Sequence, residues 1–372
     1  MTAKATGLPV VGMVGGGQLA RMTHQAAISL GLTLRVLADN PDDGAALVTP
    51  DVELGAATDA AAVERFAKAC DVVTFDHEHV PNELIASLAA SGVAMRPGAG
   101  ALRYAQDKRA MRQRLGELGV PIPRWSDDAT SLPRPFVAKA ARGGYDGRGV
   151  WIVNEGDPLP QGDVIVEEKV TIVHELAVQV ARTPSGRTKC WPVVETVQDD
   201  GICVEVVAPA PRLSHALTAE AQALAVRIAE ELDVVGVLAV ELFEAPSGLL
   251  VNELAMRPHN SAHWTIEGSR TSQFEQHLRA VLDYPLGSTE PAAPAVVMVN
   301  LLGADGDITP KGLDERVHHF MARWPDVKLH LYGKAWRPGR KVGHVTALGP
   351  DLAVARARAQ TAADYLMNGD VT

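Results

Sequence analysis

Cysteine is scarce in this chain: Cys70, Cys190 and Cys203 are the three in 372 residues, and no two are closely spaced. That disfavours a disulfide framework or a Cys-rich metal motif and leaves reduced, buried thiols in the cytoplasm as the expectation. No apolar run approaches the length of a membrane span. The short run at residues 8–14 is followed by three glycines and Gln18, with no cleavage signal, so it reads as a first strand. Positive charge is in the minority: 35 Lys and Arg stand against 45 Asp and Glu, a net charge of -10. A general nucleic-acid binder is thereby disfavoured, and any phosphate site has to be a local cluster of basic side chains and backbone amides. Internal repeats, low-complexity tracts and heptads are missing too. Nor does any Ser, Cys or His stand in a recognisable triad context.

What is present is an ordinary enzyme composition, 47% hydrophobic and 22% charged, in a chain long enough for two or three domains. Residues 9–14, 32–38 and 71–75 read as strands, and 18–30, 59–69 and 81–90 as helices. That alternation implies a parallel sheet with helices on its faces. Gly15-Gly-Gly-Gln-Leu-Ala20 opens the first helix directly after a strand, and Asp39 ends the second strand, which is a dinucleotide fingerprint in outline. Physically it says less: the glycines let backbone approach an anion at a helix N-terminus, as in a mononucleotide or sugar-phosphate site. Glu78, after the third strand, is placed to bind a hydroxyl or amine, while His77 and His79 read as polar loop residues.

Beyond residue 103 the pattern changes to one helical stretch ending near Gly119, then β-rich sequence. Lys139 sits on a short strand before Arg142-Gly-Gly-Tyr-Asp-Gly-Arg-Gly149, whose four glycines make a flap that can close amides over phosphates. Arg148 within it adds a cation. Glu167 lies at a strand end that could line an adenine slot or could be a solvated edge. Strands at 237–243 and 249–254 flank Ala245-Pro-Ser-Gly248; if the turn centres near Ser247, Glu241 and Glu253 stand opposite each other. Opposed like charges repel unless a cation lies between them, and carboxylates completed by phosphate oxygens are the usual seat of Mg²⁺. A solvated hairpin is the alternative. Arg257, His259, Asn260, His263 and Trp264 then crowd into one loop with Pro258.

Together these pieces resemble the ATP-grasp superfamily and, within it, the N5-carboxyaminoimidazole ribonucleotide synthetase family of purine biosynthesis. The resemblance is carried by Gly15-Gly-Gly-Gln-Leu-Ala-Arg-Met22, Gly143-Gly-Tyr-Asp-Gly-Arg-Gly149, Asn252-Glu-Leu-Ala255, His259-Asn-Ser-Ala-His-Trp264 and Arg337-Pro-Gly-Arg-Lys-Val-Gly-His344, in family order over nearly the whole chain. Two positions depart from it: Ala255 stands where many ATP-grasp enzymes have Asn, and Met256 where Pro often precedes the Arg.

The resemblance implies an ATP-grasp fold of mixed α/β and α+β type. It would have a Rossmann-like (pre-ATP-grasp) parallel-sheet domain at 1–102, an ATP-grasp domain at 103–290 with a β-rich lid at about 136–208, and a small C-terminal domain at 291–372. It implies a cytoplasmic homodimeric ligase that uses ATP with Mg²⁺ (or Mn²⁺ in its place) and bicarbonate to carboxylate aminoimidazole ribonucleotide through carboxyphosphate, with no nucleic acid or membrane as partner. By matched position ATP falls to Lys108, Lys139, Gly144, Tyr145, Asp146, Gly147, Arg148, Gly149, Glu167, Lys169, Val170, Glu175 (on the ribose), Asn252 and Glu253, and the metal to Glu241 and Glu253. Tyr145, Asp146, Arg257, His259 and Lys341 would surround bicarbonate, carboxyphosphate and the imidazole. Gly17, Gln18, Leu19, Glu78, Asn260, Arg340 and Lys341 would hold the ribonucleotide, whereas His263 and Trp264 are expected to pack the loop. Another ATP-grasp carboxylase such as a biotin carboxylase, an NAD-dependent oxidoreductase and a non-catalytic nucleotide-binding module are the rival readings.

Overall fold

The apolar runs near the start of the chain become four short parallel strands, and the Ala-rich stretches between them become the helices that cover them. The strands are β1 (Val10–Val14), β2 (Thr33–Ala38), β3 (Val52–Leu54) and β4 (Val72–Phe75), in the order β3-β2-β1-β4. The helices are α1 (Gln18–Ser29), α2 (Ala60–Ala67) and α3 (Asn82–Ala90). Asp59 starts α2 by accepting hydrogen bonds from the amides of Ala61 and Ala62 at 3.0 and 3.2 Å. The computed structural model describes residues 7–144, 147–303 and 310–369, so Tyr145 and Asp146 lie outside the described residues. Strand β3, a three-residue Val-Glu-Leu, is too short to carry an alternation and was not anticipated. A four-stranded sheet is not the continuous six-stranded one that the oxidoreductase reading requires.

The helical stretch expected up to Gly119 is two helices, α4 (Ala99–Gln106) and α5 (Lys108–Glu117). Asp107 divides them: its extended backbone ends α4, and its carboxylate caps α5 at the Ala110 amide, 3.0 Å away. A small antiparallel sheet follows, from β5 (Trp125–Ser126), β6 (Phe136–Ala140), β7 (Val150–Val153) and β8 (Val164–Glu168), ordered β5-β8-β6-β7.

The expected lid at about 136–208 is divided. Its first part belongs to that small sheet, whereas β9 (His174–Arg182), β10 (Thr188–Cys190), β11 (Val194–Asp199) and β12 (Ile202–Ala208) join a nine-stranded sheet. The reason is burial on both faces. Leu176, Val178 and Val180 of β9 enter a core shared with α4, α5 and α6 (His215–Glu231). Ala177 and Ala181 enter another, with Trp191, Trp264 and Ala280. Only the middle of a large sheet offers two such faces.

The hairpin β13 (Gly236–Ala245) and β14 (Gly248–Ala255) pairs with β9. Then come α7 (Thr265–Gly268) and α8 (Gln273–Val281), packed on the opposite face of the sheet from α6. The chain beyond residue 290 extends the same sheet through β15 (Ala295–Leu302), β16 (Lys328–Leu331) and β17 (Lys341–Gly349). Helices α9 (Pro310–Arg323) and α10 (Leu352–Asn368) accompany it, α10 placing Ala355, Ala359, Ala362, Ala363 and Leu366 in the core at helical spacing. No helix of the described residues is long and apolar enough to cross a membrane.

Candidate active site

Start from the hairpin. Ala245 pairs with Gly248, so Pro246 and Ser247 form a two-residue turn, and Gly248 takes φ +115°, a value that only glycine adopts readily. From that turn an unbroken ladder would set Glu241 against Asn252. The register instead shifts between Glu241 and Leu242, Asn252 is the extra residue of a bulge, and Glu241 pairs with Glu253. The pair expected from a turn centred on Ser247 is therefore present, but the bulge produces it. Freed by the bulge, Asn252 accepts a 2.9 Å hydrogen bond from Lys139 and lies 3.4 Å from Glu241.

Basic side chains meet these carboxylates from two other elements. Lys108, at the start of α5, reaches Glu253 at 2.6 Å. Lys139 of β6 reaches Glu167 at 2.8 Å. Arg112, fully buried, bonds Glu167 at 2.6 Å and the carbonyls of Val251 and Asn252 at 3.0 and 2.7 Å. Glu167 is 2% exposed, so it is not a solvated strand edge: each of its oxygens carries a cation. Arg112 escaped the sequence analysis although it lies one helical turn after Lys108, a spacing that puts both on one face of α5.

The charge balance differs along this wall. Burial pushes Glu167 up, but Lys139 and Arg112 outweigh it and hold its pKa down to about 2. Burial, reinforced by Glu253 and Glu175, lifts Glu241 from 4.5 to about 7. For Glu253 burial is outweighed by Lys108, so its carboxyl is lowered, while burial leaves Glu175 raised. Two carboxylates with a surplus of negative charge are the donor set that suits a divalent cation. The described residues contain no group of three or more His, Cys, Asp or Glu arranged for a metal. Glu241 and Glu253 would therefore share the ion with phosphate oxygens.

A cavity of about 1780 Å³ joins this wall to the first domain and to β17. Gln18, Leu19 and Glu78 line it from the first domain, and Glu78 pairs with Arg257 at 2.7 Å. His259, Asn260 and Lys341 close the far side. Nε2 of His259 lies 3.7 Å from Glu241, and burial, then Arg257 and Lys341, keeps the ring well below its usual pKa and neutral. Asn260, on the cavity wall, is buried with both amide atoms unpartnered. Gly144 and Gly147 of the flap, Lys169, Val170 and Glu175 line the other end. Gly147, at φ +75°, approaches the Asp200–Gly201 turn so closely that a Cβ would sit 2.8 Å from the Asp200 carbonyl. Ala255 is on the wall, and Met256 is core.

Some expected residues stand elsewhere. Gly17 is not on the cavity wall: its amide donates to Asp76 at 2.5 Å, and the Ala20 amide to the same carboxylate at 3.2 Å. The anion at the N-terminus of α1 is thus Asp76. A Cβ on Gly17 would lie 2.4 Å from its Oδ2, which is why glycine is there. Arg340 and Lys341 were both assigned to the ribonucleotide. As neighbours entering β17 they diverge: Lys341 faces the cavity, and Arg340 bonds the Ala335 carbonyl at 3.2 Å, off the wall. Arg148 and Gly149 also lie off it; the Gly149 carbonyl accepts from the Ala140 amide at 2.7 Å. His263 and Trp264 are buried packing residues, as expected.

Comparison with known proteins resolves what this arrangement belongs to. Residues 8–106 match the ribonucleotide synthetase preATP-grasp domain, 118–274 the ATP-grasp domain, and 296–358 the phosphoribosylaminoimidazole carboxylase C-terminal domain. The N5-carboxyaminoimidazole ribonucleotide synthase of Mycobacterium tuberculosis is 56% identical over 97% of this chain and 88% of its own length. The chain belongs to the N5-carboxyaminoimidazole ribonucleotide synthase family. The synthase of Corynebacterium ammoniagenes is 47% identical over 98% of this chain and 94% of its own. Among solved structures, the Thermotoga maritima synthetase superposes with a TM-score of 0.85 at 35% identity, covering 95% of this chain and 97% of that one. The Aspergillus clavatus synthase, in complex with ADP and 5-aminoimidazole ribonucleotide, gives 0.86 at 33%, covering 96% and 98%. In this synthase-family chain the loop after β14 lies between the wall that carries Glu241 and Glu253 and a first-domain wall.

Proposed function

We infer that the chain is an ATP-grasp ligase that carboxylates 5-aminoimidazole ribonucleotide at the expense of ATP, giving N5-carboxyaminoimidazole ribonucleotide, ADP and phosphate. The observation that carries this reading is one cavity lined by the carboxylate pair Glu241 and Glu253, by Lys108 and Lys139, and by Arg257, His259 and Lys341. Bicarbonate is the carbon source in this reading: its oxygen attacks the γ-phosphorus, ADP leaves, and the resulting carboxyphosphate transfers its carboxyl group to the exocyclic amine, releasing phosphate and the amine proton. Such phosphoryl transfer needs positioning and charge neutralisation more than covalent help. Lys108 and Lys139 lie on the wall where triphosphate charge would be neutralised, and Glu175 accepts ribose hydroxyls. Bound Mg²⁺, or Mn²⁺, held by Glu241 and Glu253 would supply further neutralisation of phosphate charge. Arg257 and Lys341 are cations beside the neutral His259 ring, a setting that suits an anionic carboxyl donor next to an uncharged amine. Gln18, Leu19, Glu78 and Asn260 hold the ribonucleotide, and Tyr145 and Asp146 act from the flap to exclude water from carboxyphosphate, which hydrolyses readily.

The same reading includes the domain limits at 102 and 290, a cytoplasmic location and a homodimer. The decisive experiment is ADP release measured with bicarbonate and a divalent cation, with and without aminoimidazole ribonucleotide, beside biotin as competing acceptor and NAD(P)H as an additive. Release stimulated by the ribonucleotide, dependent on the cation and indifferent to NAD(P)H supports the assignment. Stimulation by biotin alone, or no turnover at all, overturns it in favour of a different carboxylase or a binding module.

A further inference from the structure

The loop that carries His259 is held by a residue with no assigned role. Gln273 opens α8, is fully buried, and has its own amide fixed by Thr265 Oγ1 at 2.9 Å; that hydroxyl in turn donates to the Ala262 carbonyl at 2.6 Å. Its carboxamide reads both main-chain groups of His259: Oε1 accepts from the His259 amide at 2.8 Å, and Nε2 donates to the His259 carbonyl at 2.9 Å. The second Nε2 hydrogen faces Nδ1 of buried His263, also at 2.9 Å. One acceptor and two donors are thus matched to one donor and two acceptors, a set that a carboxamide satisfies and a carboxylate or an apolar side chain does not. The clamped residue places its ring against Glu241 at 3.7 Å and bonds Ser261 Oγ through Nδ1 at 2.9 Å.

We propose that Gln273 is a positioning residue for the carboxylation step, setting through the His259 backbone where the imidazole stands between Glu241 and the cavity. This rests on the reading of His259 as a group at the carboxyl-transfer site. The same helix contains an internal control. Gln276, equally buried, makes the same two bonds to the main chain of Gly287, at 2.8 and 3.0 Å, and neither residue lines the cavity. A stabilising clamp and a positioning clamp can therefore be separated on one element.

The test compares Gln273→Met with Gln276→Met in the full chain, by thermal melting, by steady-state kinetics, and by the NMR signals of the His259 ring. Both variants should melt lower. Gln273→Met should lose about tenfold or more in kcat/KM for the ribonucleotide, since small misplacements of reacting groups carry penalties of up to about a hundredfold. Its KM for ATP should stay within about twofold, and its His259 ring signals should move; Gln276→Met should alter neither kinetics nor signals. Gln273→Glu keeps an oxygen for the His259 amide and should fall between wild type and Met. If Gln273→Met does not fold, Gln273→Glu carries the same two readings. A Gln273 variant that melts lower but leaves kinetics and ring signals unchanged, as the control does, overturns the proposal. If the wild type shows no ribonucleotide-dependent turnover, the functional reading fails, while movement of the ring signals in the Gln273 variant alone still decides whether the clamp sets His259.

Discussion

Glu167 and Glu241 line the same cavity, yet their carboxyl groups are driven to opposite ends of the acid range, to about 2 and about 7. Both experience burial. What differs is the company: Glu167 has one cation on each oxygen, Arg112 and Lys139. Glu241 faces Glu253 and Glu175, which Lys341 and Lys108 offset only in part; Lys108 is paired with Glu253, and His259 is held neutral by burial. In the first case the chain completes its own charge balance and the carboxylate becomes a structural joint between α5, β6 and β8. In the second the balance is left open where a bound cation and a polyphosphate would close it.

The largest effect that tests this contrast is expected at the closed joint. Arg112→Met leaves Glu167 with a single cation and removes the bonds to Val251 and Asn252. Breaking a buried pair in this way costs about 3–5 kcal/mol, and denaturant unfolding should register it. At the open site, Glu241→Gln should leave the melting temperature without ligand unchanged or higher, because the neutral side chain relieves the repulsion with Glu253. It should abolish most of the Mg·ATP-dependent melting shift and lower kcat about a hundredfold, or roughly 3 kcal/mol. An equal Mg·ATP shift in both proteins would place the metal elsewhere.

A smaller separation comes from Lys341. Lys341→Ala should reduce kcat/KM for the ribonucleotide about tenfold, close to 1.4 kcal/mol, with little change in KM for ATP. An equal loss on both substrates would mean that this lysine serves the nucleotide wall instead. The smallest effect is a change in the slope of stability against pH. Glu167 is lowered, so its contribution is present above 4.5 and is lost as pH falls towards 2. Glu241 is raised, so its contribution is complete below 4.5 and is lost as pH rises through about 7. Melts from pH 3 to 8 should therefore show Glu167→Gln flattening the acid limb and Glu241→Gln removing the decline between about 4.5 and 7. The same range of pH affected in both would erase the contrast.

Much of the site was legible because its parts are local. The hairpin, the flap and the loop 256–264 each declare themselves within a dozen residues, through turn chemistry, glycine content and crowded polar groups. Even there one detail was hidden: a bulge at Asn252 leaves no trace in an alternation of apolar and polar residues, and the opposed glutamates followed from a turn centre half a residue off. That the range 136–208 spans two sheets was hidden for a related reason, since β9 alternates small and branched apolar residues that suit either a lid or the middle of a large sheet. Arg340 and Lys341 were both assigned to the ribonucleotide by matched position, although entering a strand sends neighbours to opposite faces.

Periodicity, turn residues and spacing, all properties of short stretches, determined most of the succession of strands and helices and the paired glutamates, and the likeness of short motifs pointed to the family. Tertiary structure alone decided which partners those residues meet. Arg112 finds Glu167 across 55 positions, and Thr74 finds His277 across 203. Asp76 supplies the anion that the α1 glycines approach, and Gln273 completes the main chain of His259. Such contacts follow from where the sheet places its strands, and the energy of a buried ion pair or carboxamide depends on that placement, which no local pattern encodes.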